Sequence, residues 1–203
     1  MKWVQRFNGP ERFLHAVVAL LFLVLWSTGL CLHVEWLRES LGAWRFAVRT
    51  VHDWTGLLLM IVPWSLVWVW RQQLAAFFRE MTHWRSMEVD FLAGRTKRAY
   101  KFNGGQKLNF LVAILLLTGM ACTGFLVWKS QWISLQTREF LYNWHKLLFY
   151  LLSVQVVGHV FLAAVYKPTR HALQGMMRGR VLKTWAEEHH PLWKPEEGEE
   201  IGE

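Results

Sequence analysis

The sequence predicts an all-α integral membrane protein, a four-helix bundle with both termini on the cytoplasmic side. Three observations lead there. Four long stretches hold no charged side chain, the basic residues concentrate in three of the five polar segments, and histidines recur in the helices built on those stretches.

The uncharged stretches are 13–32, 54–70, 108–128 and 147–166. A helix rises about 1.5 Å per residue, so ~20 residues cross a hydrocarbon core of ~30 Å. Three of the stretches meet that length unaided. The second is short by itself and meets it when extended back to Thr50, which brings His52 and Asp53 to the membrane edge. Soluble core helices rarely run this far without a charge. A cleaved signal peptide does not account for the first stretch, because its apolar run is too long and Leu30-Cys31-Leu32-His33 is no small-residue cleavage site.

The elements follow in order. Glu11 to Leu32 is the first helix. Arg38 to Arg49 is a short interfacial segment, with Trp36 and Trp44 at headgroup depth. The second helix runs from about Thr50 to Arg71, and Pro63 kinks it. Gln72 to Gly105 is a polar, basic central loop. Gln106 to Trp128 is the third helix. Glu139 to Tyr166 is the fourth, stopped by Pro168. The tail is basic as far as Lys183, and its Glu-rich end, Glu196 to Glu203, is expected to be disordered. Residues 1–183 form the membrane domain and 184–203 a cytoplasmic tail. No internal repeat of fixed period is read from the chain.

The net charge of +8 invites a nucleic-acid partner, but its distribution points to membrane lipid and to no nucleic acid. The segment before Phe13 carries three basic residues, Arg71 to Lys107 carries eight, and the tail after Tyr166 carries six. The two other connections share six. The positive-inside rule places both termini and the central loop in the cytoplasm, as expected for a multi-pass protein of a bacterial cytoplasmic (inner) membrane. Cys31 and Cys122 lie at or inside apolar spans. Without a CxxCH motif there is no covalent haem attachment, and two thiols do not make the usual four-cysteine iron–sulfur site.

Four of the nine histidines lie in the spans: His15, His52, His145 and His159. An ionisable residue in a membrane span is expensive and a functional candidate. His145 and His159 are 14 residues apart, ~40° short of four whole turns and ~21 Å along the axis, so one helix offers two ligands on one face. Depth pairs His52 with His145 near the outer surface and His15 with His159 near the inner one. Each pair suits a six-coordinate haem iron, giving a bundle with two haems between its helices. Iron with both axial positions taken by imidazole transfers electrons and has no site for oxygen or substrate. Gly29 follows His15 by the same interval that separates His145 from His159, and Gly56 stands one turn after His52. These two and Gly158 leave gaps where a flat macrocycle approaches, or serve ordinary helix packing. A zinc or di-iron site does not fit pairs so far apart with no carboxylate partners. His33 and His83 fall in connections, and His171, His189 and His190 are read as solvated surface residues.

Before the third helix stands Phe102-Asn103-Gly104-Gly105-Gln106-Lys107. Asn103 and Gln106 are neutral donors and acceptors beside free helix-start N–H groups, which suits a quinone carbonyl. The same residues also suit a plain helix cap.

Together these residues resemble the cytochrome b (γ) subunits of membrane-bound formate dehydrogenases, over nearly the whole chain. The resemblance rests on Arg12-Phe13-Leu14-His15, Val51-His52, the FNGGQK motif at 102–107, the spacing of the two histidines in the fourth helix, and Trp185-Ala186-Glu187-Glu188-His189-His190-Pro191. It implies two haem b groups, the outer on His52 and His145 and the inner on His15 and His159. It also implies a quinone site at Asn103, Gly105 and Gln106. The implied partners are an iron–sulfur subunit with its own membrane anchor helix and a molybdenum- or tungsten-containing catalytic subunit. Electrons from formate would pass through the outer and inner haems to menaquinone or ubiquinone, while formate itself is oxidised on the partner. Gly104 departs from the alanine more usual in this motif, which bears on loop stiffness. Competing expectations are the haem b anchor of a hydrogenase or of a thiosulfate or polysulfide reductase, and a haem-free membrane scaffold.

Overall fold

A computed structural model describes residues 2–195 and 200–201. In chain order the elements are β1 (Trp3–Gln5), α1 (Gly9–His33), α2 (Glu35–Ser40), α3 (Arg45–Val69), α4 (Arg71–Thr82), α5 (Ser86–Leu92), α6 (Gly104–Trp128), α7 (Leu135–Val160), α8 (His171–Arg178), β2 (Arg180–Leu182), α9 (Lys183–His189) and β3 (Glu200–Ile201). Three helices are long and apolar enough to cross a membrane: Gly9–His33, Gly104–Trp128 and Leu135–Val165. Gly42–Val69 joins them when taken with Arg71–Thr82 across a break at Trp70. The chain is an all-α membrane protein, with one small sheet added.

Contacts divide the chain into two units, Met1–Phe13 with Trp70–Ala113 and Gln155–Glu203, and Leu14–Val69 with Ile114–Val154. The first unit contains most of the well-buried side chains. β1 pairs antiparallel with β2, Val4 opposite Val181, and on its other edge with β3. Val4 and Val181 are fully buried against Trp185 and Ala186. α8 ends at Gly179, whose φ of +81° places it in the left-handed region that glycine enters without strain. Its carbonyl accepts the N–H groups of Arg6 and Phe7.

Three expectations are corrected in this unit and its neighbour. The central segment is not a loop: α4 and α5 occupy it. α4 sets Leu74 and Met81 into the core with Phe77 and Phe78 between them, an i, i+3, i+4, i+7 stripe. The second long helix starts at Arg45, about five residues earlier than expected, so the interfacial piece shrinks to α2 and the turn Gly42–Trp44. A long arginine stem keeps its charged head in water from inside a helix, so Arg45 and Arg49 did not have to end it. The third correction is His190, which is 2% exposed and no surface residue. The Glu-rich end lies outside the described residues, apart from β3.

His190 Nδ1 lies 2.7 Å from the Tyr100 carbonyl, which only accepts, so Nδ1 carries the proton. Nε2 is then free to accept from Arg6 Nη2 at 3.0 Å. Arg6 is itself buried among the rings of Phe7, Phe102, Trp185 and Trp193. Burial lowers its pKa to about 9, which leaves it charged at neutral pH. Burial first, and then the Arg6 charge, pull His190 from 6.5 down to about 3. Between those values the unfolded chain binds a proton that the folded chain refuses, so stability is present above 6.5 and falls with pH. Glu80 and Glu88 act in the same direction only below their ordinary value of 4.5. Burial works to raise both carboxyls, but the hydrogen bonds from Arg85 and Lys107 outweigh it and hold both below that value. Thermal stability in detergent is expected to weaken steadily from pH 7 to pH 5, and a His190→Gln variant to show a shallower slope. Parallel pH profiles for the two proteins would refute the assignment.

The second unit has the opposite character. The most apolar windows of α1, α6 and α7 are almost entirely unburied, and Leu20, Trp64, Leu115 and Val154 all face outward. Backbone groups satisfied inside helices and apolar side chains turned out are what a lipid solvent selects. Trp26 Nε1 donates to Ser153 Oγ at 3.0 Å, tying α1 to α7. Trp54 and Trp128 meet edge to face at 5.5 Å.

Candidate functional site

The second unit holds an open-sided cavity of about 560 Å³ lined by α1, α3, α6 and α7. His52 on α3 and His145 on α7 face each other across it, ring centroids 6.4 Å apart and planes at 84°. Each ring is held from the helix beside it. Thr28 Oγ1 lies 2.9 Å from His52 Nδ1 and 2.7 Å from the Val24 carbonyl. Thr123 Oγ1 lies 2.9 Å from His145 Nδ1 and 2.7 Å from the Gly119 carbonyl. A hydroxyl has one proton, and a carbonyl only accepts, so that proton goes to the carbonyl. Each Nδ1 is therefore the donor to its threonine, and each Nε2 keeps a lone pair. That tautomer is the one a metal needs, fixed by a hydrogen bond behind the ligand.

The residue after each threonine makes room for the ring. A Cβ on Gly29 would lie 3.3 Å from His52 Cε1, and on Gly124 2.9 Å from His145 Cε1. Gly29 thus accommodates the imidazole of the neighbouring helix, beyond leaving a gap at a set interval from His15. Gly56 also lines the cavity, whereas nothing lies within 4 Å of a Cβ on Gly158.

These matched Thr-Gly pairs expose a repeat that the reading by fixed period missed. Adding 95 to the bounds of α1 gives those of α6, 9–33 becoming 104–128. Phe7-Asn8-Gly9 falls on Phe102-Asn103-Gly104, Glu11 on Gln106, and Thr28-Gly29 on Thr123-Gly124. Both helix starts carry the same reciprocal cap. Asn8 N–H donates to Glu11 Oε2 and Glu11 N–H to Asn8 Oδ1, each at 2.8 Å. Asn103 N–H donates to Gln106 Oε1 at 3.0 Å and Gln106 N–H to Asn103 Oδ1 at 2.9 Å. The offset becomes 93 at the two histidines, because the connecting segments differ in length.

The profile of the prokaryotic cytochrome b561 family matches residues 6–179. The chain belongs to that family. Its similar proteins include a formate dehydrogenase cytochrome b556 subunit of Haemophilus influenzae, 25% identical over 95% of this chain and 82% of the relative. The cytochrome b556(fdo) subunit of formate dehydrogenase in Escherichia coli K12 is 27% identical over 94% and 91%. The nitrate-inducible cytochrome b556(Fdn) subunit of the same strain is 22% identical over 95% and 90%. A b-type cytochrome implies haem b, and the cavity fits such a group. Two metal–nitrogen bonds of ~2 Å each, laid end to end with the two ring radii, separate imidazole centroids by roughly 6 Å, against the 6.4 Å observed.

The cytochrome's other predicted residues are placed as follows. His15 is on the part of α1 in the second unit, and His159 is near the end of α7 in the first. His159 Nδ1 lies 3.4 Å from Asn109 Nδ2, and Gln155 Nε2 donates to Asn109 Oδ1 at 2.8 Å. Asn109 and Gln155 were missed as supports because neither stands in a motif. Asn103 and Gln106 spend their oxygens on the helix cap. Among the described residues their NH2 groups keep no partner. Gly105 follows in the first turn of α6. Gly104 is required as it stands, because a Cβ there would fall deep inside the Glu88 carbonyl.

Proposed function

We propose that this cytochrome is the haem b subunit of a respiratory formate dehydrogenase complex. In that reading it takes electrons from a membrane-anchored iron–sulfur subunit near the outer surface and delivers them to menaquinone or ubiquinone near the cytoplasmic one. A molybdenum- or tungsten-containing partner oxidises the formate. The observation that carries the reading is the His52–His145 pair, spaced for one metal, with each Nδ1 tied to a threonine and each Nε2 without a partner among the described residues.

Haem b between two imidazoles supplies one-electron transfer without an open coordination position. The chain's residues do the rest. Thr28 and Thr123 orient the outer ligands, and Gly29 and Gly124 let them swing into the cavity. His15 and His159 are the inner ligands, supported by their depth in the sequence and by the resemblance, with Asn109 and Gln155 behind His159. The free NH2 groups of Asn103 and Gln106 donate to a quinone carbonyl, and Gly105 keeps that helix start open. Both termini lie in the cytoplasm of a bacterium whose inner membrane the chain crosses four times.

The test is to purify the complex in mild detergent, quantify haem per cytochrome chain, and record spectra after adding formate and then a quinone. Two b-type haems reduced by formate and reoxidised by quinone are expected. Fewer than two haems per chain, or no reduction by formate with partners attached, would overturn the reading.

A further inference from the structure

Cations are few on the side where α3 and α7 begin, six of the chain's 23. Yet Arg38, Arg45, Arg49, Arg138 and Lys146 all line the cavity there. Arg45 and Arg138 stand apart from the rest. Arg45 precedes His52 by seven residues, and Arg138 precedes His145 by seven. Seven residues turn ~700°, ~20° short of two turns, and advance ~10 Å. Each arginine therefore lies on its ligand's face, two turns nearer the helix start. Over the eight positions 45–52 and 138–145 the two helices share only the arginine and the histidine. Arg49 has Asp53 at 3.7 Å and Arg38 has Glu35 at 3.9 Å. Among the described residues neither Arg45 nor Arg138 has a carboxylate within ion-pair reach.

We infer that Arg45 and Arg138 bind the two propionates of the haem seated between His52 and His145, one arginine to each. The inference rests on the haem reading above and adds an orientation to it. Haem b carries both propionates on one edge. An in-plane axis passing between them exchanges the two faces of the macrocycle and also exchanges the propionates. The repeat in this chain has the same effect, exchanging His52 for His145 and Arg45 for Arg138. One symmetry thus matches two ligands and two anchors to one cofactor. The charges match too. Two carboxylates entering an apolar cavity need paired cations, and a guanidinium fork suits a carboxylate better than an ammonium does.

The test is a potentiometric titration of the purified full complex, following each haem by its α-band, for Arg45→Gln, Arg138→Gln and the control Lys129→Gln. Lys129 sits over Trp128 and does not line the cavity. Losing a cation beside a propionate favours the oxidised haem. Each arginine variant is expected to shift one haem's oxidised-to-reduced ratio about tenfold, some 59 mV lower for a one-electron couple. The other haem should stay at its wild-type value, and the lysine control, whose charge reaches Asp53 from outside the cavity lining, should shift less than either arginine variant. If a glutamine variant releases the haem, Arg45→Lys or Arg138→Lys is expected to retain it. Unshifted potentials, an equal shift in Lys129→Gln, or equal haem loss from the lysine variants would overturn the inference while leaving the haem reading intact. If His145→Ala leaves the haem count unchanged, the haem reading fails, and the propionate anchors with it.

Discussion

His145→Ala is expected to lower the haem content from two per chain to one and to leave the second b-type spectrum intact. The reason is local. The His52–His145 site lies wholly within one unit, and each ring is held by its own threonine and its own glycine-made space. Removing one imidazole leaves the metal a single protein ligand and leaves Thr123 without its partner. His52→Ala should give the same loss by the same logic, because the two half-sites are copies. Gly124→Val is a milder version of the experiment. Even a Cβ at that position stands 2.9 Å from the His145 ring, so a branched side chain must push the imidazole off the metal axis. Its haem loss is expected to be the same one haem, without any ligand being deleted. His15→Ala and His159→Ala should remove the other haem and spare this one. The measurement is pyridine haemochrome quantification together with redox difference spectra on correctly inserted protein. Loss of all haem from every single variant would mean that the sites are not independent.

How much of this was legible in the sequence depends on how far apart the interacting residues lie. Four histidines in the apolar helices stand out at once, since a titratable group there is costly, and the spacing of His145 and His159 on one helix sets the depth and face of that pair. Thr28 and Thr123 did not stand out, because threonine and glycine are ordinary packing residues in membrane helices. Only the facing imidazoles give them meaning. The repeat was hidden because its two copies keep an offset of 95 through the first helices and only 93 at the ligands. The helix α4 was readable from its Leu74, Phe77, Phe78, Met81 stripe, but the many charges around it suggested a loop. His190 was beyond reach. Its partners, Arg6 and Tyr100, are 184 and 90 residues away, and nothing local marks a histidine in a polar tail as buried.

Lys107→Met is expected to destabilise the first unit by roughly 3–5 kcal/mol, the scale for breaking a buried ion pair from one side. Lys107 is fully buried at the start of α6. Its Nζ donates to Glu88 Oε1 at 2.7 Å, to the His83 carbonyl at 2.9 Å and to Glu80 Oε1 at 3.1 Å. Glu80 survives the change, because Arg85 still grips both its oxygens at 2.8 and 2.9 Å. Glu88 does not fare so well. It is 2% exposed, and it keeps only the Arg85 N–H at 2.8 Å and a longer Arg85 Nη1 contact at 3.3 Å. The cost is therefore a stranded carboxylate, and it should shrink when that charge goes as well. Glu88→Gln in the Lys107→Met background is expected to recover part of the loss, although glutamine alone in the native background should destabilise. Thermal unfolding of the four proteins in detergent closes this double-mutant cycle. Below its transition, Lys107→Met protein should still hold the His52–His145 haem, since the residues lining that cavity belong to the second unit. Additive losses across the cycle would show that Lys107 and Glu88 do not share one charge pair.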